Sequence, residues 1–372
     1  MTINANDKVV MTLDAGGTNF VFSAIHDGKE IVRPVHLPSN GHDLTLCLNT
    51  IIRGFEEVSK ALPIPPYAIS FAFPGPADYR NGIIGDLANL PAFRGGVALG
   101  PMLEEHFQIP VYINNDGDLF VYGEARYGFL PALNKRLEKI GSSRRYKHLF
   151  GVTLGTGFGG GLVVDGNLYL GENGAASEIC LTQNAFNPKN YAEENISARA
   201  IIREYYRNGG ELLEGLSPHD VYRIATGEKQ GNKAAALSSF EIFGKALGTA
   251  LVNAITLLDA PVVIGGGLSN AWPLFAPHMF EQINGHYSTD DGRQMVHLVS
   301  KAINYEDPEA LDCLSSGDLK KVKVPFSNRI VNYFPGKINI IGRSILGTST
   351  AVALGAYAFA IQESKISHAY PL

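Results

Sequence analysis

Two stretches of this chain repeat one plan, and that repetition constrains its fold more than any other feature. "LDAGGTNFVFSAIHDG" (residues 13–28) and "LGTGFGGGLVVDGNLYLG" (residues 154–171) each read as a strand, a glycine-rich turn, a second strand and an Asp-Gly turn. Asp-Gly between β-rich segments is a favoured hairpin closure. Each copy opens a run of mixed elements. In the first run, Leu44, Leu48, Ile51, Ile52, Phe55, Val58 and Leu62 recur at helical spacing. "YAISFAFPGPAD" reads as a buried strand ending in a Pro-Gly-Pro loop, since proline cannot continue a central ladder. "PVYINNDGDLFVYGEARYG" reads as a strand, a polar turn at Asn114–Asp116 and a helix. In the second run, "SARAIIREYY" and the long apolar "SSFEIFGKALGTALVNAITLL" read as helices, the latter buried on most faces. "APVVIGGGLSNAWPLF" reads as strand, glycine turn and helix, and "TSTAVALGAYAFAIQE" as a last helix whose small residues allow close packing. Residues 284–337, interrupted by Pro308, Pro325 and Pro335, fit no clear element. A duplicated two-domain α/β protein follows, with a ligand cleft between its halves.

Within the second copy, "GTGFGG" spells G-x-G-x-x-G, the dinucleotide-binding fingerprint. That fingerprint needs a helix directly after its glycines, because the helix N-terminus holds the pyrophosphate. Here Val163, Val164 and Asp165-Gly166 follow, which is hairpin chemistry, so the NAD-dependent dehydrogenase reading fails. No G-x-x-x-x-G-K-[ST] occurs either, which excludes a P-loop NTPase. What remains is a pair of hairpins whose turns are nearly free of side chains, where backbone N–H groups can face phosphate oxygens. In "DAGGTN", Thr18 adds a hydroxyl donor and Asp14 a carboxylate able to orient hydrated Mg²⁺. Either turn alone would read as a tight structural turn; two matched turns argue for a shared phosphate ligand.

Bulk composition narrows the partners. The 372 residues are 45% hydrophobic and 18% charged, the balance of a globular protein. A formal charge of −5 leaves no global basic field for nucleic acid or an anionic membrane. The one basic run, Lys135–Lys147, is either a solvated face or a local field that steers an anionic nucleotide. Cys47, Cys180 and Cys313 lie far apart, with no zinc or disulfide spacing, which fits a reducing compartment. The first residues lack a basic region followed by an apolar one, and no run approaches the ~18 uninterrupted apolar residues of a membrane span. A cytoplasmic protein is expected.

"DAGGTN", "PGP", "NND", "LGTGFGGGLVVDG" and "VVIGGGLS", in this order, resemble the ROK (repressor, open reading frame, kinase) family of sugar kinases. The likeness spans residues 9–270 and resumes at "SILGTSTAVALGAYAFA". It implies the hexokinase–actin-like superfold, an α/β fold of two ribonuclease-H-like domains with a central cleft. The expected boundaries are 1–128 for the smaller domain, joined by a C-terminal helix at 344–364, and 129–343 for the larger, with an insertion at about 284–337. The implied reaction is phosphoryl transfer from ATP, with Mg²⁺, to a hydroxyl of a hexose or N-acetylhexosamine. A homodimer fits the family. Its repressors carry a DNA-binding domain before the first phosphate motif, and the thirteen residues before Asp14 leave no room for one.

The resemblance also assigns roles. Asp116 matches the family's catalytic base, although from the residues alone it would equally serve as an N-cap for a helix beginning near Asp118. Gly75, Asn89, Asn115 and Asp116 match positions that contact the sugar. Glu178, in "GAASEICL", and Glu193, in "YAEENISAR" with Glu194 beside it, match two sugar-binding glutamates. Gly16, Gly17, Thr18 and Asn19 would form the first phosphate turn, and Gly155, Thr156 and Gly157 the second. Gly265, Gly266 and Gly267 resemble the adenosine segment, where absent side chains let a flat base and ribose lie on the backbone. Two departures stand out. The family histidine three places after the first glutamate falls at Leu181, and the family's cysteine-rich zinc segment is replaced by "TQNAFNPKNYAEEN". No zinc is therefore expected, and the loss at Leu181 leaves open a non-catalytic sugar sensor as the alternative.

Overall fold

The computed structural model describes residues 8–87, 90–212, 214–315, 320–334 and 336–369, with side chains as far as 363. The chain begins with β1 (Val9–Ala15), β2 (Asn19–His26), β3 (Lys29–Glu30), β4 (Val35–Pro38), α1 (Leu44–Ala61) and β5 (Ala68–Ala72). Three short strands follow, β6 (Ala77–Asp78), β7 (Ile83–Ile84) and β8 (Val97–Ala98), then α2 (Leu99–Phe107), β9 (Val111–Asn114), α3 (Asp116–Arg126) and α4 (Phe129–Lys139). The second copy of the hairpin is β10 (Leu149–Leu154), β11 (Phe158–Val164) and β12 (Asn167–Leu168). After it come α5 (Ala198–Arg207), α6 (Pro218–Thr226), α7 (Lys233–Leu258), β13 (Val262–Gly265), α8 (Trp272–Ile283), β14 (His286–Ser288), β15 (Gln294–Val296) and β16 (Lys301–Asn304). The remaining elements are β17 (Lys320–Lys323), β18 (Ile330–Tyr333), β19 (Ile338–Arg343) and α9 (Thr348–Ala369).

Contacts divide the chain into two units. The first takes the residues up to Gly128, Gly161–Ser177 and those from Leu346 on. Its sheet runs β3-β2-β1-β5-β9, with β4 also on β2. β1 and β2 pair antiparallel as the hairpin pattern requires, whereas β1, β5 and β9 are parallel. Alternation along β1 sorts its side chains between the two faces. Val9, Met11 and Leu13 join Phe20, Phe22, Phe55 and Phe71 in the core on the α1 side. Val10 joins Ile25, Ala68, Leu354, Tyr357 and Ala360 on the α9 side.

Helix α9 lies against α3 with almost nothing between them. A Cβ on Gly123 would run into the Ala351 carbonyl, and one on Gly355 into the Leu119 carbonyl. Glu124, fully buried, accepts from the Leu346 N–H at 3.1 Å just before α9 begins. The Tyr122 hydroxyl donates to Gln362. This packing is what the small residues of the last helix predict from the sequence.

In the second unit β10, β13, β19 and β16 are neighbours in one parallel set. β11 borders β10, and the division between units falls within it. α7 packs on α8, α5 and α6. It is the one described helix long and apolar enough to cross a membrane by composition, and half of its most apolar window is buried inside the protein.

Three expectations need correction. Residues 161–177 go with the first unit, because a Cβ on Gly161 would lie 2.5 Å from the Gly117 carbonyl: β11 rests directly on α3. The stretch 284–337 is not one insertion; β16 within it is a strand of the main sheet, while β14–β15 and β17–β18 form separate two-stranded hairpins. Finally, the basic run is neither a free face nor a nucleotide guide throughout. Arg136 donates to the carbonyls of Tyr305, Asp307 and Pro308, and Arg144 stacks on Phe334, so two of its cations hold the chain after β16 and β18 in place.

Candidate active site

Parallel strands β1, β5 and β9 bring their carboxyl ends to one edge of the first unit's sheet, where ligands of open α/β sheets bind. A cleft of about 660 Å³ opens there. Its walls are Asp14 at the end of β1, Pro74 and Gly75 in the loop after β5, Asn115 and Asp116 where β9 turns into α3, and Thr348, Ser349 and Thr350 at the start of α9. Four of the residues singled out in the sequence, Asp14, Gly75, Asn115 and Asp116, therefore share one cavity. Asn89 lies outside the described residues.

The polar turn shows which residue caps α3. α3 starts at Asp116 itself, and its N-cap is Asn115, whose Oδ1 accepts from the Gly117 N–H at 2.7 Å. Capping thus belongs to Asn115. Asp116 Oδ1 also takes the Gly117 N–H, at 2.8 Å. Its carboxylate is open to the cleft yet surrounded by protein, and this loss of solvation pushes its pKa up, against the lowering effect of the Gly117 and Asp116 N–H groups.

The first glycine turn is tied from behind. Ser39, nearly fully buried just past β4, donates its hydroxyl to the Gly17 carbonyl at 2.6 Å and its N–H to the Thr18 carbonyl at 2.9 Å. Drawing those carbonyls to one side leaves Gly17, Thr18 and Asn19 exposed, with Asp14 exposed beside them.

In the second unit the turn Gly155–Gly157 meets the triple glycine. Gly266, at φ +87°, must lack a side chain, because a Cβ there would strike the Leu154 backbone just before the turn. Gly267 faces open space, and Gly265 ends β13. The turn is closed by Gly155 N–H to Gly157 O at 3.0 Å, and Ala198 N–H reaches Gly155 O at 2.9 Å. Glu193 lies against it: Oε2 accepts from the Phe158 N–H at 3.0 Å and Oε1 from Arg199 at 3.0 Å. Glu178 is exposed, with the Cys180 thiol 3.5 Å from its Oε2. Burial, then the Glu178 charge, pushes that thiol up to about 12, so it carries no thiolate. Leu181, at the position of the family histidine, is 69% exposed.

Sequence reasoning missed Ser39, Arg199 and the α9 wall. Only the last left a signal: "TST" directly after Gly347 places hydroxyls at a helix start, a common anion-facing position.

Two α/β units, each built on a strand–glycine turn–strand hairpin, define the hexokinase–actin-like class of fold. Within that class the ROK family model matches residues 10–307, and the chain belongs to the ROK family. A crystal structure of glucokinase from Parabacteroides distasonis is similar at TM-score 0.87 and 46% identity, covering 97% of this chain and 99% of that one. The N-acetyl-D-glucosamine kinase of Photobacterium profundum is 29% identical over 275 residues, 69% of this chain and 83% of the relative. The glucokinase of Thermotoga maritima is 27% identical over 292 residues, 71% and 84% of the two chains.

Proposed function

We propose that this ROK protein transfers the γ-phosphoryl group of ATP to a hydroxyl of a hexose or an N-acetylhexosamine. It is a sugar kinase, in keeping with relatives that are glucokinases and N-acetyl-D-glucosamine kinases. The observation that most supports the finer reading is the single cleft lined by Asp14, Gly75, Asn115 and Asp116.

In this reading Asp116 accepts the proton of the attacking sugar hydroxyl. A carboxylate whose pKa burial has raised is a stronger base than one free in water, and so better matched to that task. Asn115 already commits its oxygen to capping α3, which leaves its amide NH₂ to donate to a neighbouring sugar hydroxyl. Glu178 supplies a further sugar contact. Both glycine turns hold the phosphates through backbone N–H groups, and Gly265–Gly267 gives the adenosine a surface without side chains. Asp14, an exposed carboxylate on the cleft wall, fits a hydrated Mg²⁺, a hard cation that prefers oxygen ligands and keeps its waters. When bound, that ion supplies charge neutralisation to the transferring phosphoryl group.

The deciding experiment is ADP release from the purified protein with ATP and Mg²⁺ against a panel of hexoses and N-acetyl sugars. Sugar-dependent release establishes the reaction and its substrate class. Exposed Leu181, where the family has histidine, favours the sensor as second reading; sugar binding by calorimetry with no ADP release would leave the sensor standing.

Ser39→Ala tests the first turn separately. Losing one neutral hydrogen bond costs about 0.5–1.5 kcal/mol, so KM for ATP should rise roughly 2- to 10-fold. KM for the sugar should stay where it is. An unchanged KM for ATP would mean that the turn holds its shape without the latch.

A further inference from the structure

We propose that the β17–β18 hairpin is an arm that seats the protein on an anionic lipid bilayer, with Phe326 entering the interface and nearby cations meeting the headgroups. This does not depend on the kinase reading. Every residue of both strands is exposed. A two-stranded hairpin that buries nothing is marginal in water and gains from any surface that covers it. The arm is nevertheless well built. At its tip the Val324 N–H donates to the Arg329 carbonyl at 2.8 Å and the Ser327 N–H to the Val324 carbonyl at 3.2 Å. The Ser327 hydroxyl accepts from the Arg329 N–H at 3.0 Å. At its base Arg144 stacks on Phe334.

Two independent features of this arm point to its partner. The first is Phe326, fully exposed in the tip at φ +59°, the left-handed region that a bulky side chain seldom adopts. The backbone is strained to hold an aromatic ring in water, and such strain is characteristic of contact sites. The second is charge. Lys320, Lys321, Lys323 and Arg329 lie on the arm, and no acidic residue occurs from 320 to 334. Lys320 pairs with Tyr333, Lys321 with Asn332 and Lys323 with Ile330, so no lysine has a carboxylate opposite it. None of the four cations has an ion partner among the described residues.

An apolar tip flanked by unpaired cations is complementary to a negatively charged surface with an apolar layer beneath it, which is an anionic bilayer. Phenylalanine sinks into the boundary between headgroups and acyl chains, while each nearby cation adds attraction to anionic lipid. Single-stranded nucleic acid fits less well, because it is held in a basic groove that tracks its backbone. Here the aromatic ring stands on a projecting tip. The chain's net charge of −5 already includes these four cations, so the rest of the molecule is more negative still. An anionic membrane would repel that remainder and admit the protein by this arm alone.

Flotation of the full chain with lipid vesicles tests this. The wild type should float with vesicles of phosphatidylcholine plus phosphatidylglycerol and not with phosphatidylcholine alone, and added salt should release it. Phe326→Ser should weaken the binding roughly tenfold, the loss of one buried aromatic ring. Replacing Lys320, Lys321 and Lys323 together by alanine should weaken it about a hundredfold, at about fivefold for each cation. The same three changed to arginine should bind as the wild type does. All four positions are exposed, so thermal melting of each variant should match the wild type. No flotation of the wild type, equal flotation with neutral vesicles, or variants that bind unchanged would each overturn the proposal. So would a dimer, seen by light scattering, that Phe326→Ser turns into a monomer while vesicle binding holds; the arm would then be a contact between copies.

Discussion

Asp116→Asn should lower kcat by about 10²–10⁴, the usual worth of a general base, while leaving the fold at least as stable as before. The second half of that expectation comes from the burial of the carboxylate, which raises its pKa in the folded chain above the ordinary 3.8. A raised carboxyl pKa means that the folded state binds the proton more tightly than the unfolded state. Wild-type stability therefore falls as pH rises from the ordinary carboxylate range through the raised value, and the asparagine variant is spared that fall. Denaturant unfolding at acid and at neutral pH checks it: the variant should gain on the wild type only at the higher pH. The amide also keeps an oxygen for the Gly117 N–H, and Asn115 still caps α3, so the helix start survives. A variant that retains full turnover would remove Asp116 from the chemistry. One that loses stability at neutral pH would show that its charge is favourable where it sits.

Gly355→Ala should destabilise the protein although it improves a helix. In an open helix interior the change to alanine is worth up to about 1 kcal/mol in favour of the variant. Here the added Cβ meets the Leu119 carbonyl of α3, backbone that cannot swing aside. Overpacking of this kind costs about 1–3 kcal/mol, sometimes more, which reverses the sign. Since Thr348, Ser349 and Thr350 line the cleft from the start of the same helix, turnover should fall with stability. Denaturant midpoints for Gly355→Ala, set against kcat, test both. A more stable variant would mean that α9 can shift outward freely.

How much of this was legible in the sequence depends on whether the signal was local. Both hairpins were, because Asp27-Gly28 and Asp165-Gly166 adopt the positive φ values that such a turn requires. The helical spacing of residues 44–62 became α1, and the polar turn at Asn114–Asp116 became the helix entry that sets Asp116 in the cleft. The helix start was off by two residues, since Asn115 and not Asp116 does the capping. Strands β16 and β19 were missed because neither sits in a recognisable turn context, and β19 owes its place to pairing with strands far away in sequence. Ser39 and Glu193 illustrate the harder limit. Both act on the backbone of a distant turn, and nothing in "LPSNG" or "YAEEN" says which carbonyl or N–H lies opposite. Arg136 shows the same in reverse: a charge that looked free is committed to three carbonyls near residue 305.

The discontinuity of the first unit also bears on biosynthesis. Asp116 and the first glycine turn emerge early in translation, but the helix that packs on α3 and closes one wall of their cleft is made only after the whole second unit. Nascent chains tend to fold domain by domain from the N-terminus. A ribosome carrying the first 128 residues would hold a sheet whose α9-side residues, Val10, Ile25 and Ala68, have no cover. That uncovered face is where a chaperone would be needed longest. The wall that Thr348, Ser349 and Thr350 give to the cleft is in place only once α9 has emerged.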